Sequence, residues 1–174
     1  MSDRPNILFI LTDQQRQDTM ACYGNDWIQT PTLNALADES VVFKNAYISQ
    51  PVCTPSRATI MTGLYPQATG LHRNNIPLPR DAQTIAELAP DVYYCAHMGK
   101  WHLGMSTRNR KKPTLNDHGF DYWLATRNGP GPSHHNPSSF IRNGKPVGPM
   151  KGYSCQLVVD EAIHWLEKER DPKK

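Results

Sequence analysis

A chain of 174 residues with 38% hydrophobic residues and 15 prolines is sized for one ordinary domain with long loops. The net charge of +3 is modest, and the one dense basic cluster (Arg108, Arg110, Lys111 and Lys112) lacks interleaved aromatic residues, which argues for a solvated loop and against a nucleic-acid partner. The longest apolar run, Ile7 to Leu11, is far short of the roughly 20 residues of a bilayer-spanning helix, and Cys22, Cys53, Cys95 and Cys155 include no CxxC pair of a zinc knuckle.

The N-terminal residues Met1 to Pro5 enter the apolar run without the basic and apolar regions of a secretory leader, so the expected location is cytoplasmic, or periplasmic if the start site is misassigned. Residues 6–12 are continuously apolar up to Asp13, the pattern of a strand buried on both faces, with Asp13 at its carboxyl end. In open α/β sheets that end is where ligands bind. Thr30-Pro31 predicts a helix start, with Leu33, Leu36 and Ala37 as its apolar face. Val41 to Phe43 reads as a strand. Thr84 predicts a short capped helix through Leu88, stopped by Pro90, and Val92 to Met98 reads as a second buried strand. From Met105 to about Gly152 the chain turns polar and rich in Pro, Gly, Asn and His, the pattern of irregular loop. Val159, Ala162, Ile163 and Leu166 then recur at helical spacing, predicting an amphipathic helix over 156–169. Strand–helix alternation makes the expected class α/β.

Three groups of residues could carry chemistry. Thr54 as N-cap, Pro55 at the first helical position and Gly63 beyond the end predict a helix of about two turns, with Cys53 just ahead of it. A helix N-terminus attracts anions through unpaired N–H groups and its dipole, and Arg57 adds a planar donor fork suited to sulfate or phosphate. Gly99-Lys100-Trp101-His102-Leu103-Gly104 follows the second strand. Extended backbone there would turn Lys100 and His102 to one side and Trp101 to the other. In Thr12-Asp13-Gln14-Gln15, a carboxylate and an amide oxygen could bind a hard cation such as calcium. Each has a plain structural reading on its own: a small buried cysteine, a solvated lysine, a turn aspartate.

Taken together, Arg4-Pro5-Asn6-Ile7 to Asp13-Gln14, Cys53-Thr54-Pro55-Ser56-Arg57 with Thr62-Gly63, and Gly99 to Gly104 resemble the N-terminal signatures of the type I sulfatase family, in its order and at about its spacing. Thr84 to Leu88 and Gly119 to Tyr122 extend the similarity over most of the chain. The resemblance implies the N-terminal part of an alkaline-phosphatase-like sheet flanked by helices. It would be a partial catalytic domain over 1–174, truncated before the fold is complete, with a loop-rich insertion at 105–152. It implies that a separate maturation enzyme oxidises Cys53 to formylglycine, whose hydrate supplies the nucleophilic hydroxyl. Arg57 would hold the modified side chain, Lys100 the sulfate oxygens, and His102 would hydrogen-bond the hydrate. Asp13 and Gln14 would bind calcium, and Asn74 would contact a small sulfate-ester substrate. The alternatives are a phosphonate monoester or phosphodiester hydrolase of the same superfamily, and an inactive fragment lacking the other metal ligands. Asp117-His118 superficially resembles that missing metal pair, but it precedes Gly119-Phe120-Asp121, expected to be a surface segment. His134 and His135 are expected in solvent.

Overall fold

The computed structural model describes residues 4–89, 91–105, 113–131 and 133–170. They form two units, one up to Tyr47 and a larger one from Ile48 onward. The basic cluster and Pro90 lie outside the described residues.

In the first unit, helix α1 (Pro31–Asp38) begins where Thr30-Pro31 places it. The Thr30 hydroxyl does not cap it: Oγ1 accepts the Ala21 N–H at 3.0 Å and lies 3.1 Å from Asn34 Oδ1. Leu36 is exposed, so the expected apolar face is not covered. Residues 6–12 depart further from expectation. They carry no regular secondary structure, and Ile7 and Ile10 are 76% and 75% exposed. Val41 to Phe43 is likewise not a strand. Apolar patterning states a demand for burial, whereas a strand also needs a neighbour to complete its ladder.

The second unit holds helices α2 (Cys53–Thr62), α3 (Pro66–Thr69) and α4 (Ile85–Leu88), strands β1 (Ala96–Lys100), β2 (Tyr122–Thr126), β3 (Ile141–Arg142) and β4 (Lys145–Pro146), and helix α5 (Ser154–His164). The sheet order is β1-β2-β3-β4, parallel between β1 and β2 and antiparallel thereafter. The α/β class therefore holds. Strand β1 begins at Ala96, four residues later than the apolar pattern at Val92 suggests, and so takes in Gly99 and Lys100. Helix α4 has the full capping box, with Glu87 Oε2 accepting the Thr84 N–H at 3.0 Å.

The stretch from Met105 to Gly152 is not irregular throughout. Strand β2 lies inside it and is buried along its whole length, pairing Ala96 with Tyr122 through Lys100 with Thr126. Phe120, in the segment Gly119-Phe120-Asp121 expected at the surface, is buried, as is Tyr122 after it. Asn143 and Gly144 both have positive φ (45° and 83°) and close the β3–β4 hairpin, the type I′ geometry that Asn-Gly favours. Trp101, Leu103, Leu115, Phe120 and Trp123 centre the core, with Ala58 and Met61 entering from α2.

Helix α5 packs on β1, and a Cβ at Gly99 would lie 3.8 Å from Val158 Cγ1. The face it buries is not the expected one: Ser154, Glu161 and Trp165 are buried, while Val159, Ile163 and Leu166 are about half exposed. The reason is polar. Arg142 of β3 holds Glu161 with two bonds, Nε to Oε1 at 2.6 Å and Nη2 to Oε2 at 2.7 Å, and the Tyr122 hydroxyl donates to Oε1 at 2.5 Å. Burial works to raise the Glu161 carboxyl, but Arg142 and Tyr122 outweigh it and hold it below its ordinary value. Burial and Glu161 push the Tyr122 phenol up to about 12, so it remains a donor. Glu161→Gln is expected to destabilise the chain by about 2 kcal/mol, because it leaves a half-exposed Arg142 without its carboxylate. Urea unfolding at pH 7 measures this, and an unchanged midpoint would show that the clamp contributes nothing.

His97 of β1 sets a second stability term. Its ring meets Trp101 edge-on at 5.4 Å and Phe120 at 5.5 Å. Burial first, and the nearby Arg57 charge second, lower its pKa from 6.5 to about 4. The unfolded chain therefore takes up this proton first as pH falls. Stability from this residue is intact above pH 6.5 and declines down to about pH 4, by about 3 kcal/mol in all. Glu161, with its folded pKa depressed, acts in the same direction from the ordinary carboxylate range downward. Thermal unfolding of His97→Phe between pH 7 and pH 4 should show a shallower acid dependence than the parent, and parallel curves would exclude His97 as a source.

Candidate active site

Helix α2 exists because Val52 enters it in extended conformation (φ −134°, ψ 138°) and Gly63 leaves it left-handed (φ 70°), its N–H returning to Thr59 O. Cys53 is the first helical residue. The N-cap is Val52, not Thr54, which is the second helical residue. Thr54, Arg57, Ala58 and Met61 recur at helical spacing on the buried face. The outer pair, Ala58 and Met61, joins the core, while Thr54 and Arg57 reach the chain that leaves β1.

That contact assembles the site. The Thr54 hydroxyl donates to the His102 carbonyl at 2.8 Å, and Arg57 Nη1 donates to the Lys100 carbonyl at 2.6 Å. Two side chains three residues apart on one helix face thus hold two carbonyls two residues apart, at Lys100, the last residue of β1, and at His102 just beyond it. Lys100 Nζ lies 3.2 Å from Cys53 Sγ, so an ammonium donor stands against the thiol at the helix's first residue. The Asn74 carboxamide oxygen accepts the Thr54 N–H at 3.0 Å, which brings Asn74 to the same helix end. Asn74 precedes Asn75, whose φ of 69° turns the loop.

The expected alternation of Lys100 and His102 does not extend that far. Strand geometry ends at Lys100, and His102 is left-handed (φ 57°), its N–H donating to Arg127 O at 2.9 Å. Trp101 turns into the core, 1% exposed, and its indole N–H donates to Gly104 O at 3.0 Å. Gly104 is left-handed, and a Cβ there would collide with Pro77. Gly104 thus serves packing, whereas Gly99 (φ 118°) meets a backbone conformation that side-chain-bearing residues rarely adopt.

Cys53, Arg57, Lys100, His102 and Asn74 therefore converge in the second unit. Asp13 and Gln14 are exposed in the first, adjacent in a bend where Gln14 has φ 60°. Both offer hard oxygen donors, which suits calcium in kind but supplies only part of the six to eight ligands it takes. Among the described residues no group of three or more His, Cys, Asp or Glu could hold a metal. Asp117 accepts from the Thr114 N–H at 2.7 Å and pairs with Arg80, while His118 is fully buried against Trp101, so this pair is structural. His134 and His135 are exposed as expected, with His134 Nδ1 2.7 Å from Ser154 Oγ. Thr54 was legible only as a cap. Its cross-link to His102, 48 residues away, has no local sequence signal.

Comparison with known proteins gives a consistent picture. The sulfatase family model matches residues 5–174. An ulvan-active sulfatase from Formosa agariphila is 40% identical over 95% of this chain and 32% of its own length. An N-acetylglucosamine-6-O-sulfatase from Bacteroides thetaiotaomicron is 34% identical over 98% of this chain and 29% of its own length. A solved structure, described as a complex with its substrate D-glucosamine-2-N,6-O-disulfate, superimposes with a TM-score of 0.83 at 35% identity, covering 97% of this chain and 32% of the other. The chain thus spans about a third of the length of the curated relatives it matches. With its motif residues gathered at the start of α2 and the family model covering nearly its whole length, the chain belongs to the sulfatase family.

Proposed function

We propose that this chain is the nucleophile-bearing part of a sulfuric ester hydrolase acting on a sulfated carbohydrate. The observation that carries the reading is the Lys100 ammonium 3.2 Å from Cys53 Sγ at the first residue of a helix. A sulfate ester resists attack because its oxygens repel a nucleophile, so a cation beside the attacking group lowers the barrier where charge is shed. Lys100 fills that role. Arg57 holds the Lys100 main chain and so fixes the ammonium relative to Cys53. Asn74, its oxygen taken by the Thr54 N–H, presents its amide donors to a sulfate ester.

Formylglycine, made from Cys53 by a separate maturation enzyme, would supply the nucleophilic hydroxyl, with His102 as hydrogen-bond partner. Asp13 and Gln14 would contribute oxygen ligands to a calcium ion, which when bound would act as a Lewis acid. The carbohydrate assignment draws on three of the relatives, whose names specify ulvan, N-acetylglucosamine-6-O and N-acetylgalactosamine-6-O, beside others named steryl-sulfatases and arylsulfatases.

The test incubates the intact natural chain, with calcium and after chelation, with sulfated amino sugars, an aryl sulfate and a phosphodiester, and measures released anion by ion chromatography. Calcium-dependent sulfate release, fastest on a sulfated sugar, is expected. Preference for the phosphodiester would overturn the assignment, and calcium-independent release would remove the metal from it.

A further inference from the structure

We propose that Thr54 is a positioning residue, whose hydroxyl holds the His102 main chain in the left-handed conformation that aims its imidazole. The inference rests on the sulfatase reading for its kinetic consequence and on geometry alone for its structural one.

Thr54 is fully buried, and neither of its polar groups serves its own helix as a side-chain cap. The hydroxyl crosses to the His102 carbonyl at 2.8 Å, and the amide N–H is taken by Asn74 Oδ1 at 3.0 Å. Thr54 is the second helical residue and not the N-cap, so its oxygen does not serve the helix's first N–H groups as a cap would. Here the hydroxyl donates outward, away from that role.

The receiving residue is unusual in its backbone. His102 is 8% exposed with φ 57°, a conformation that few non-glycine residues adopt and that persists where surrounding bonds over-determine it. Its main chain is gripped on both sides: the N–H donates to Arg127 O at 2.9 Å, and the carbonyl receives the Thr54 hydroxyl. Arg127 immediately follows β2, so one grip comes from the sheet and the other from the helix that carries Cys53. The sheet grip fixes His102 to the scaffold. The Thr54 grip refers its position to the nucleophile, because Cys53 and Thr54 are consecutive in one rigid helix. Loss of the hydroxyl would free the carbonyl to rotate, and with it the φ and ψ angles that aim the ring.

The test compares Thr54→Val, which replaces the hydroxyl with a methyl, with Thr54→Ser, which keeps the hydroxyl and removes the methyl. Both are made in the intact natural chain. Turnover of a sulfate ester is normalised to the fraction of residue 53 converted to formylglycine, read from peptide mass. Thr54→Val is expected to lower kcat by about 10- to 100-fold with KM changed by less than about threefold, the pattern of a misplaced group that acts after binding. Thr54→Ser should recover kcat to within about threefold of the parent. Crystal structures of both variants should show His102 at positive φ in Thr54→Ser and outside that region in Thr54→Val.

An unchanged normalised kcat in Thr54→Val, or a Thr54→Ser variant as impaired as Thr54→Val, overturns the proposal. In the second case the methyl's packing, and not the hydroxyl, would be what matters. If Thr54→Val fails to fold, Thr54→Ser decides between hydroxyl and methyl by itself. If the parent chain releases no sulfate from any ester, the functional reading fails, and the His102 conformation in the variant structures still decides the role of Thr54.

Discussion

Cys53→Ala is expected to reduce sulfate release by about 10⁴-fold or more, to background, while leaving the fold intact. Alanine is the best helix former, and Cys53 is a half-buried first residue of α2 outside the core cluster, so the substitution removes reactivity without removing packing. The Lys100 ammonium would lose its partner at 3.2 Å but remain positioned through its own carbonyl and Arg57. Sulfate release and thermal unfolding should be measured on the same preparation. Unchanged melting with abolished turnover assigns the chemistry to this side chain, and more than about a tenth of the activity remaining would exclude Cys53 as nucleophile.

Arg57→Lys carries the second large effect, although charge is conserved. Arg57 is 9% exposed, and its guanidinium reaches the Lys100 carbonyl at 2.6 Å from one turn inside the helix. An ammonium on a shorter donor head cannot reproduce a planar fork. A shift of about 1 Å in the Lys100 backbone would carry the ammonium off its place at Cys53, and misplacement on that scale lowers turnover by about 100-fold. Loss of the buried bond should also cost about 1–3 kcal/mol in urea unfolding. The substitution brings its own control. Arg57 charge helps to depress His97, so a lysine that keeps the charge should leave the acid-unfolding profile nearly unmoved. Wild-type turnover in Arg57→Lys would show that charge alone suffices at this position.

The site was more legible than the fold around it. Cys53, Arg57, Lys100 and His102 stand in two short motifs, and the fold brings those motifs together at the start of α2. The short helices were visible where a local bond creates them, as in the Thr84–Glu87 capping box. Elements that depend on distant partners were not. Residues 6–12 have the composition of an interior strand but no ladder among the described residues. Strand β2 was hidden among Pro, Gly and Asn, although Tyr122-Trp123-Leu124-Ala125-Thr126 is a continuous buried-strand pattern and Asn143-Gly144 is a hairpin signal. For α5, helical period was correct and orientation was not. Two candidate faces existed, and the Glu161 clamp to Arg142 and Tyr122 chose between them. Hydrophobic spacing does not register that kind of choice.

The paired ties from α2 to the end of β1 also determine where this sequence tolerates a change in length. Thr54 and Arg57 must stay one turn apart, and Lys100 and His102 two residues apart, for both bonds to form. One residue inserted between Thr54 and Arg57 would rotate a tie by about 100° on the helix, and one inserted between Lys100 and His102 would move the second carbonyl off the Thr54 hydroxyl. The exposed turns at residues 63–65 and 79–83 lie outside these ties and outside the Asn74 bond to Thr54. Length variation should therefore collect in those turns, while Cys53 to Arg57 and Lys100 to His102 behave as two fixed rulers laid side by side.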